Sequence, residues 1–341
     1  MKHKKVKIGQ AQVDYLFDSN LTSLSRITDK KSTILVTDEH LVMAHPQKFS
    51  SWKTIVLKPG EKYKTQPTVD DIVHQLIGLE ADRNTTLVGV GGGVVTDITG
   101  YLASVYMRGI RFGFVPTTIL AMVDASIGGK NGVDVGVYKN IVGTIRQPAF
   151  LLLDDRLLTR SLLKSLPDAE WRNGFAEIIK HACIRDAVMF RELEQHSIPF
   201  FQRNKKALSD LIKRNALLKT KVVQIDELEK NERRLLNFGH TLGHALENQY
   251  DLTHGQAVAI GMVFASRISE KITGFRHAER VRKLVDNYQL PTTISYDRDT
   301  VFEVLKMDKK RARKDMNYVL LEKIGKGFVH SLPLDYLRSH L

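Results

Sequence analysis

At 341 residues, 43% hydrophobic and 26% charged, the chain has the composition of a soluble globular protein long enough for two domains with separate cores. No apolar run reaches the ~20 residues that cross a bilayer, and one cysteine, Cys183, excludes an intrachain disulfide. The formal charge of +13 reads as a solvated basic surface or as a preference for anionic small molecules; nucleic acid is disfavoured, because no zinc-finger spacing, RNA-binding aromatic signature or basic heptad region accompanies it. Its densest run, Lys309-Lys310-Arg311-Ala312-Arg313-Lys314, is one short segment. The start, Met1-Lys2-His3-Lys4-Lys5, leads into strand-like alternation rather than a signal-peptide core, so a cytoplasmic protein with neither membrane nor nucleic-acid partners is expected.

The first half alternates strands and helices. Ser32 to Thr37 and Thr54 to Lys58 are short β-branched runs, the second closed by Pro59-Gly60. From Thr68 to Asp82 the apolar residues Val69, Ile72, Val73, Leu76, Ile77 and Leu79 fall at helical spacing. Thr85 to Val90 is a third buried strand, followed by Gly91-Gly92-Gly93 and a helix predicted over Val94 to Met107. Strand, glycine turn and helix form the βαβ signature of a nucleotide-binding domain. From about Leu162 the pattern turns helical, over Asp168–Phe190, Lys205–Glu229, Arg233–Gln249, His254–Thr273 and Arg276–Tyr288, with a late hairpin around Gly325. The expected architecture is an α/β N-terminal Rossmann-like nucleotide-binding domain, residues 1–160, followed by a mainly α-helical C-terminal domain, residues 161–341. The default site is a cleft between them.

Several segments carry chemistry. Glycines at 91–93 let backbone N–H groups approach a pyrophosphate, although the run is not the G-x-G-x-x-G fingerprint. Asp97, just beyond, either favours the helix dipole or contacts a ligand. Gly128-Gly129-Lys130-Asn131 and Lys139-Asn140 read either as an anion cradle or as turns with solvated lysines, and Arg108 before Gly109 is another anion contact. Glu177 and Lys180 form an intrahelical pair. The apolar neighbours of Glu177, however, leave it half buried and in want of a counter-charge, which a metal ion supplies. In Asn237-Phe238-Gly239-His240-Thr241-Leu242-Gly243-His244 the two histidines share one helix face, and His254 follows shortly after. Three imidazoles so close suit a divalent metal site or an acid/base pair.

Together, Pro59-Gly60-Glu61-Lys62-Tyr63-Lys64, Gly91–Asp97, Arg108, Pro116-Thr117-Thr118, Asp124, Gly128-Gly129-Lys130, Lys139-Asn140, Glu177 with Lys180, Arg233, Asn237, His240, His244 and His254 resemble 3-dehydroquinate synthases, a family of sugar-phosphate cyclases. The resemblance runs in order from about Asp38 to Gly325. It implies NAD in the N-terminal domain, contacted by Asp38, His40, Glu61, Lys64, Gly92, Gly93, Asp97, Thr117, Thr118, Lys130 and Lys139. It implies a divalent metal, Zn2+ or Co2+, held by Glu177, His240 and His254. Arg108, Asp124, Lys130, Asn140, Lys180, Lys219, Arg233, Asn237 and His244 match positions that hold the substrate, with Lys309 or Lys310 from the late loop. Among these, Lys130, Lys180, Asn237 and His244 take catalytic roles, so His244 handles protons or hydrogen bonds instead of joining His240 on the metal.

The implied activity is that of a phosphorus–oxygen lyase. It turns 3-deoxy-D-arabino-heptulosonate 7-phosphate into 3-dehydroquinate and phosphate, in the shikimate route to aromatic amino acids, with NAD restored in each turnover. The family arrangement also implies a homodimer in which Arg108 reaches the neighbouring subunit's substrate phosphate. The sequence departs from the family pattern at Thr96, where glycine is common, at His40, and in a longer segment between Asp154 and Pro167 that contacts the cofactor. The alternatives are a sister cyclase of aminocyclitol or valiolone type and a metal-dependent alcohol dehydrogenase of similar layout.

Overall fold

The computed structural model describes residues 2–19, 21–136, 138–153, 166–306, 311–312 and 315–341. Lys309, Lys310 and most of the lengthened segment, residues 154–165, lie outside the described residues. The chain divides into two compact units, Met1–Pro167 with Lys205–Leu228, and Asp168–Asn204 with Glu229–Leu341.

The first unit is built on a sheet in the order β1-β2-β9-β6-β5-β3-β4. Its strands are β1 (Lys2–Ile8), β2 (Ala11–Phe17), β3 (Thr33–Asp38), β4 (Lys53–Leu57), β5 (Thr86–Gly91), β6 (Arg111–Pro116) and β9 (Phe150–Leu153). β1 runs antiparallel to β2 and the other pairs are parallel. Continuous apolar runs such as those of β5 and β9 are buried along their whole length, as strands covered on both faces must be. Helices α1 (Glu39–Ala44), α2 (Pro46–Phe49), α3 (Gln66–Gly78) and α4 (Gly93–Val105) connect the strands. The parallel part, β4-β3-β5-β6-β9, has the doubly wound order in which chain direction across the sheet reverses between β3 and β5. Ligands of such sheets bind beyond the carboxyl ends of the two strands that flank the reversal. Here those ends are Asp38 and the glycines from Gly91 onward.

The second unit is mainly helical. It contains α5 (Asp168–Arg185), α6 (Ala187–Gln195), α7 (Ile198–Arg203), α9 (His240–Glu247), α10 (His254–Thr273), α11 (Ala278–Asn287), α12 (Arg298–Lys306) and α13 (Leu334–His340). β10 (Arg311–Ala312), β11 (Asp315–Lys323) and β12 (Lys326–Pro333) add a small antiparallel sheet. Phe175 stacks on Tyr288 with ring centroids 5.0 Å apart, tying α5 to the end of α11.

The elements depart from the sequence reading in instructive ways. A single boundary at 160/161 does not hold, because α8 (Lys205–Ile225) belongs to the first unit. It buries Leu208, Leu211, Ile212 and Val223, and Thr220 Oγ1 lies 2.8 Å from the buried Tyr15 hydroxyl on β2. The predicted Val94–Met107 helix stops at Val105, since Met107 and Arg108 both take positive φ, 47° and 66°. The stretch read as loops after Gly129 is a hairpin, β7 (Lys130–Val135) with β8 (Tyr138–Ile145). Asp186 caps α6 by accepting from the Met189 N–H and so divides the helix expected over Asp168–Phe190. The helix expected from Arg233 is a 3-10 segment, Glu232–Asn237, that ends before Gly239 at φ 80°; α9 begins only at His240.

Candidate active site

The second unit gathers the strongest cluster. Glu177 projects from the middle of α5, wholly buried, where α5 meets α10. His240 opens α9 and His254 opens α10. These two helices can approach because glycines line their contact: a Cβ on Gly243 would meet the Ala257 carbonyl oxygen at 3.0 Å, and one on Gly261 would run into that of Gly239. His254 is fixed by the capping box of Thr253 and Gln256. Gly255 sits against α5, its N–H donating to Asn173 Oδ1 at 3.0 Å.

The result is a carboxylate faced by two rings. Glu177 Oε1 lies 3.4 Å from His240 Nε2 and 3.1 Å from His254 Nε2. One ligand atom from each of the three residues falls within 4.8 Å of the others. On the far side of each ring, Nδ1 meets an acceptor: the Phe238 carbonyl at 3.2 Å for His240 and Glu247 Oε2 at 3.4 Å for His254. Metal-ligating histidines show this arrangement, with the second nitrogen held by a carbonyl or carboxylate while the first offers its lone pair. Two imidazole nitrogens and one carboxylate are an ordinary donor set for a divalent cation with an open position, so the residues fit such an ion.

Charge is concentrated here. Burial opposes ionisation of Glu177, but the Lys180 ammonium paired with it, together with His240 and His254, holds its carboxyl well below the usual carboxylate range. For His254, burial favours the neutral ring, yet hydrogen bonds to Glu177 and Glu247 push its pKa up to about 10. Burial and the Lys180 charge lower that of His240. Lys180 and Arg233 are both almost fully buried, an unusual place for cations unless anions are to be met. Asn237 donates to Glu229 Oε1 at 2.6 Å, and Glu229 itself has φ 59°. His244, one turn after His240 on α9, groups with Glu247 and His254 rather than with Glu177.

The first unit assembles a second, ionic network from the residues expected to meet the cofactor. Lys64 Nζ lies 2.5 Å from Asp97 Oδ2 and 3.7 Å from Glu61 Oε1, while Lys139 Nζ reaches Glu61 at 3.5 Å and Asp134 at 3.3 Å. Burial works against the Lys64 charge, but Asp97 and Glu61 outweigh it and its pKa stands above the ordinary lysine value. Asp97 therefore acts in this unit as an ion-pair partner. Gly92 and Gly93 start α4 beside Thr118, and the buried Thr117 donates its N–H to the Gly91 carbonyl at 2.9 Å. Asp38 caps α1 by accepting from the Leu41 N–H at 3.0 Å, and His40 is exposed on the same helix. Thr96 is buried, its hydroxyl donating to the Gly93 carbonyl at 3.0 Å.

Asp124 stands in a single π-helical turn, Ala121–Ala125, a feature common at functional sites. Lys219 from α8 pairs with its carboxylate at 2.9 Å. Asn140 has φ 51° and donates its N–H to Asp134 Oδ1 at 2.6 Å; Lys130 is exposed at the start of β7. Arg108 belongs to neither cluster and lies exposed at its strained corner.

Two adjoining family models, the 3-dehydroquinate synthase N-terminal and C-terminal parts, match residues 54–173 and 174–311. The chain belongs to the 3-dehydroquinate synthase family. A 3-dehydroquinate synthase of Nitrosospira multiformis is 38% identical over 317 residues, covering 89% of this chain and 85% of the relative. That of Pyrococcus abyssi is 39% identical over 285 residues, covering 83% and 82%. Among solved structures, a 2-deoxy-scyllo-inosose synthase complexed with carbaglucose-6-phosphate, NAD+ and Co2+ superposes with a TM-score of 0.85 at 26% identity, covering 99% of this chain and 98% of its own. A 2-epi-5-epi-valiolone synthase from Streptomyces hygroscopicus with NAD+ and Zn2+ bound gives 0.87 at 25%, covering 98% and 97%. An iron-containing alcohol dehydrogenase, at 0.67 and 14% identity, shares the fold alone.

Asp134, Glu229 and Glu247 join these clusters although the sequence reading passed over them. Glu247 was findable, standing seven residues after His240 on the same helical face. Asp134 and Glu229 carry no such signal, because only the hairpin register and the left-handed φ of Glu229 bring them in.

Proposed function

We infer that the chain is a 3-dehydroquinate synthase, converting 3-deoxy-D-arabino-heptulosonate 7-phosphate to 3-dehydroquinate and inorganic phosphate with NAD and a divalent ion, zinc or cobalt. The observation that carries the reading is the buried Glu177 carboxylate met by two imidazoles whose other nitrogens are already engaged, in a chain whose family match continues through both units. When bound, NAD supplies a hydride acceptor and the ion a Lewis acid.

The chain's own residues supply the rest. Lys180 and Arg233 bring buried positive charge for carboxylate and phosphate oxygens, Arg233 as a planar fork suited to two of them. Lys219, Lys130 and Asn140 offer donors from the first unit. On this reading Asn237, whose amide donates to Glu229, binds a substrate hydroxyl, and His244, grouped with Glu247 and His254, takes or returns a proton.

Phosphate release from purified protein, offered the heptulosonate phosphate and competing sugar phosphates, tests the reading. Release from another sugar phosphate in preference would favour a sister cyclase, a competitor kept in view by the solved structures just described. A homodimer belongs to the same proposal. β8 pairs only with β7 among the described residues, and its Tyr138, Ile141, Val142 and Ile145 are exposed, as are Val105, the last residue of α4, and Met107 just beyond it; α4 packs on this hairpin. A cytoplasmic location suits the single, buried Cys183. No described helix is long and apolar enough to cross a membrane.

A further inference from the structure

We propose that Glu247 is a positioning residue of the metal centre: its carboxylate accepts from Nδ1 of His254 and so fixes the rotamer and tautomer in which Nε2 faces Glu177. The proposal rests on the metal-site reading above and goes beyond it, since it gives Glu247 a role outside the three ligands. His254 Nδ1 lies 3.4 Å from Glu247 Oε2 while Nε2 lies 3.1 Å from Glu177 Oε1. An imidazole that ligates a metal ion is neutral, with one N–H and one lone pair. With the N–H engaged at Nδ1, the lone pair stands at Nε2, where the ion is to be met. Turning the ring over would put carbon atoms in place of both nitrogens and lose both contacts.

The two metal histidines differ in what holds them. His240 is oriented by the main-chain carbonyl of Phe238, which no side-chain replacement removes. His254 depends on a side chain from another helix, the last residue of α9, with only 12% of that side chain exposed. The same carboxylate stands near His244, whose ring nitrogen, Glu247 and His254 all offer atoms within 4.8 Å of one another. That second grouping raises a distinct possibility, that Glu247 ligates a further ion, and the test separates it.

Purified full-length protein, stripped of metal, is titrated with Co2+ and with Zn2+ against a chromophoric chelator, and the visible spectrum of the cobalt form is recorded. Glu247→Ala is expected to lose about 10- to 100-fold in metal affinity, the usual effect of removing an outer partner of a ligating histidine. Its cobalt spectrum should change, and its stoichiometry should stay at one ion per chain. Glu247→Gln, whose amide oxygen still accepts from Nδ1, should recover most of the affinity and the parent spectrum. Should Glu247→Ala fail to fold, Glu247→Leu carries the same expectation. Unchanged affinity in the folded alanine or leucine variant would overturn the proposal. So would two ions per parent chain with one missing in Glu247→Gln, which would make Glu247 a ligand. His254→Ala is the control: parent affinity there would bring down the metal-site reading itself, whereas its loss alongside an unaffected Glu247→Ala would bring down this inference alone.

Discussion

At the scale of single residues, the centre of gravity is Glu177. A carboxylate with no exposed surface persists because Lys180 and two imidazoles surround it, and the carboxylate with those two rings is also the donor set that a divalent cation requires. His254→Ala and Glu177→Gln should each lower metal content well below one ion per chain and abolish activity, read by elemental analysis after gel filtration. Stoichiometry that survives each single replacement at Glu177, His240 and His254 would show the ligand set to be wrong. The histidines were legible in the sequence through their helical spacing, and the burial of Glu177 through its apolar neighbours, although it is complete where the sequence led to half. Spacing alone, however, pairs His240 with His244. Which two rings meet the carboxylate is decided by the start of α10, and no periodicity within α9 reports that.

At the scale of elements, the glycine contact between α9 and α10 sets the position of the site. Gly261→Ala would drive a methyl group into the Gly239 backbone, where a left-handed turn leaves no room to yield. Overpacking of this kind costs about 1–3 kcal/mol. Thermal unfolding should therefore shift downward, and metal affinity should fall with it, although residue 261 touches no ion. A variant with parent stability and parent affinity would mean that α9 and α10 slide apart freely. The sequence made α10 legible from end to end, because Thr253 and Gln256 cap one end and Gly274 closes the other. It left the hairpin of β7 and β8 hidden. An exposed strand has no core-facing stripe to alternate, and its glycines and asparagines read as turns.

At the scale of the whole molecule, two expectations concern what the protein consumes and how it assembles. Cofactor-stripped protein should regain activity with NAD in amounts far below the phosphate released. NADH accumulating in step with phosphate would sink the cyclase and favour a dehydrogenase.

Assembly is tested at β8. The edge strand β1 carries exposed His3, Lys4, Lys5 and Lys7, the charged protection of a free edge, whereas β8 carries exposed Ile141, Val142 and Ile145. Ile141→Lys together with Val142→Lys should shift sedimentation from dimer to monomer; an unmoved dimer would place the interface elsewhere. Arg108→Ala should weaken the phosphate-bearing substrate by about ten- to a hundred-fold, the equivalent of losing a charge-assisted bond of roughly 1.5–3 kcal/mol, with NAD binding intact. Mixed with His240→Ala chains, it should recover part of the activity, and no recovery in a verified mixed dimer would show that Arg108 acts within its own chain.

The path of the chain through its two units also sets a timetable for synthesis. The first unit is left at Pro167 and resumed only at Lys205, so its sheet cannot be completed by α8 until the ribosome has made Asp168–Asn204, which belongs elsewhere. At the usual pace of about 5–20 residues per second, the emerging sheet waits on the order of seconds with the surface that α8 will cover, and the hydroxyl of Tyr15, still open to the cell. A nascent chain of this layout is most vulnerable to proteases and to sticking in that interval. Ending the gene near codon 167 would make the interval permanent.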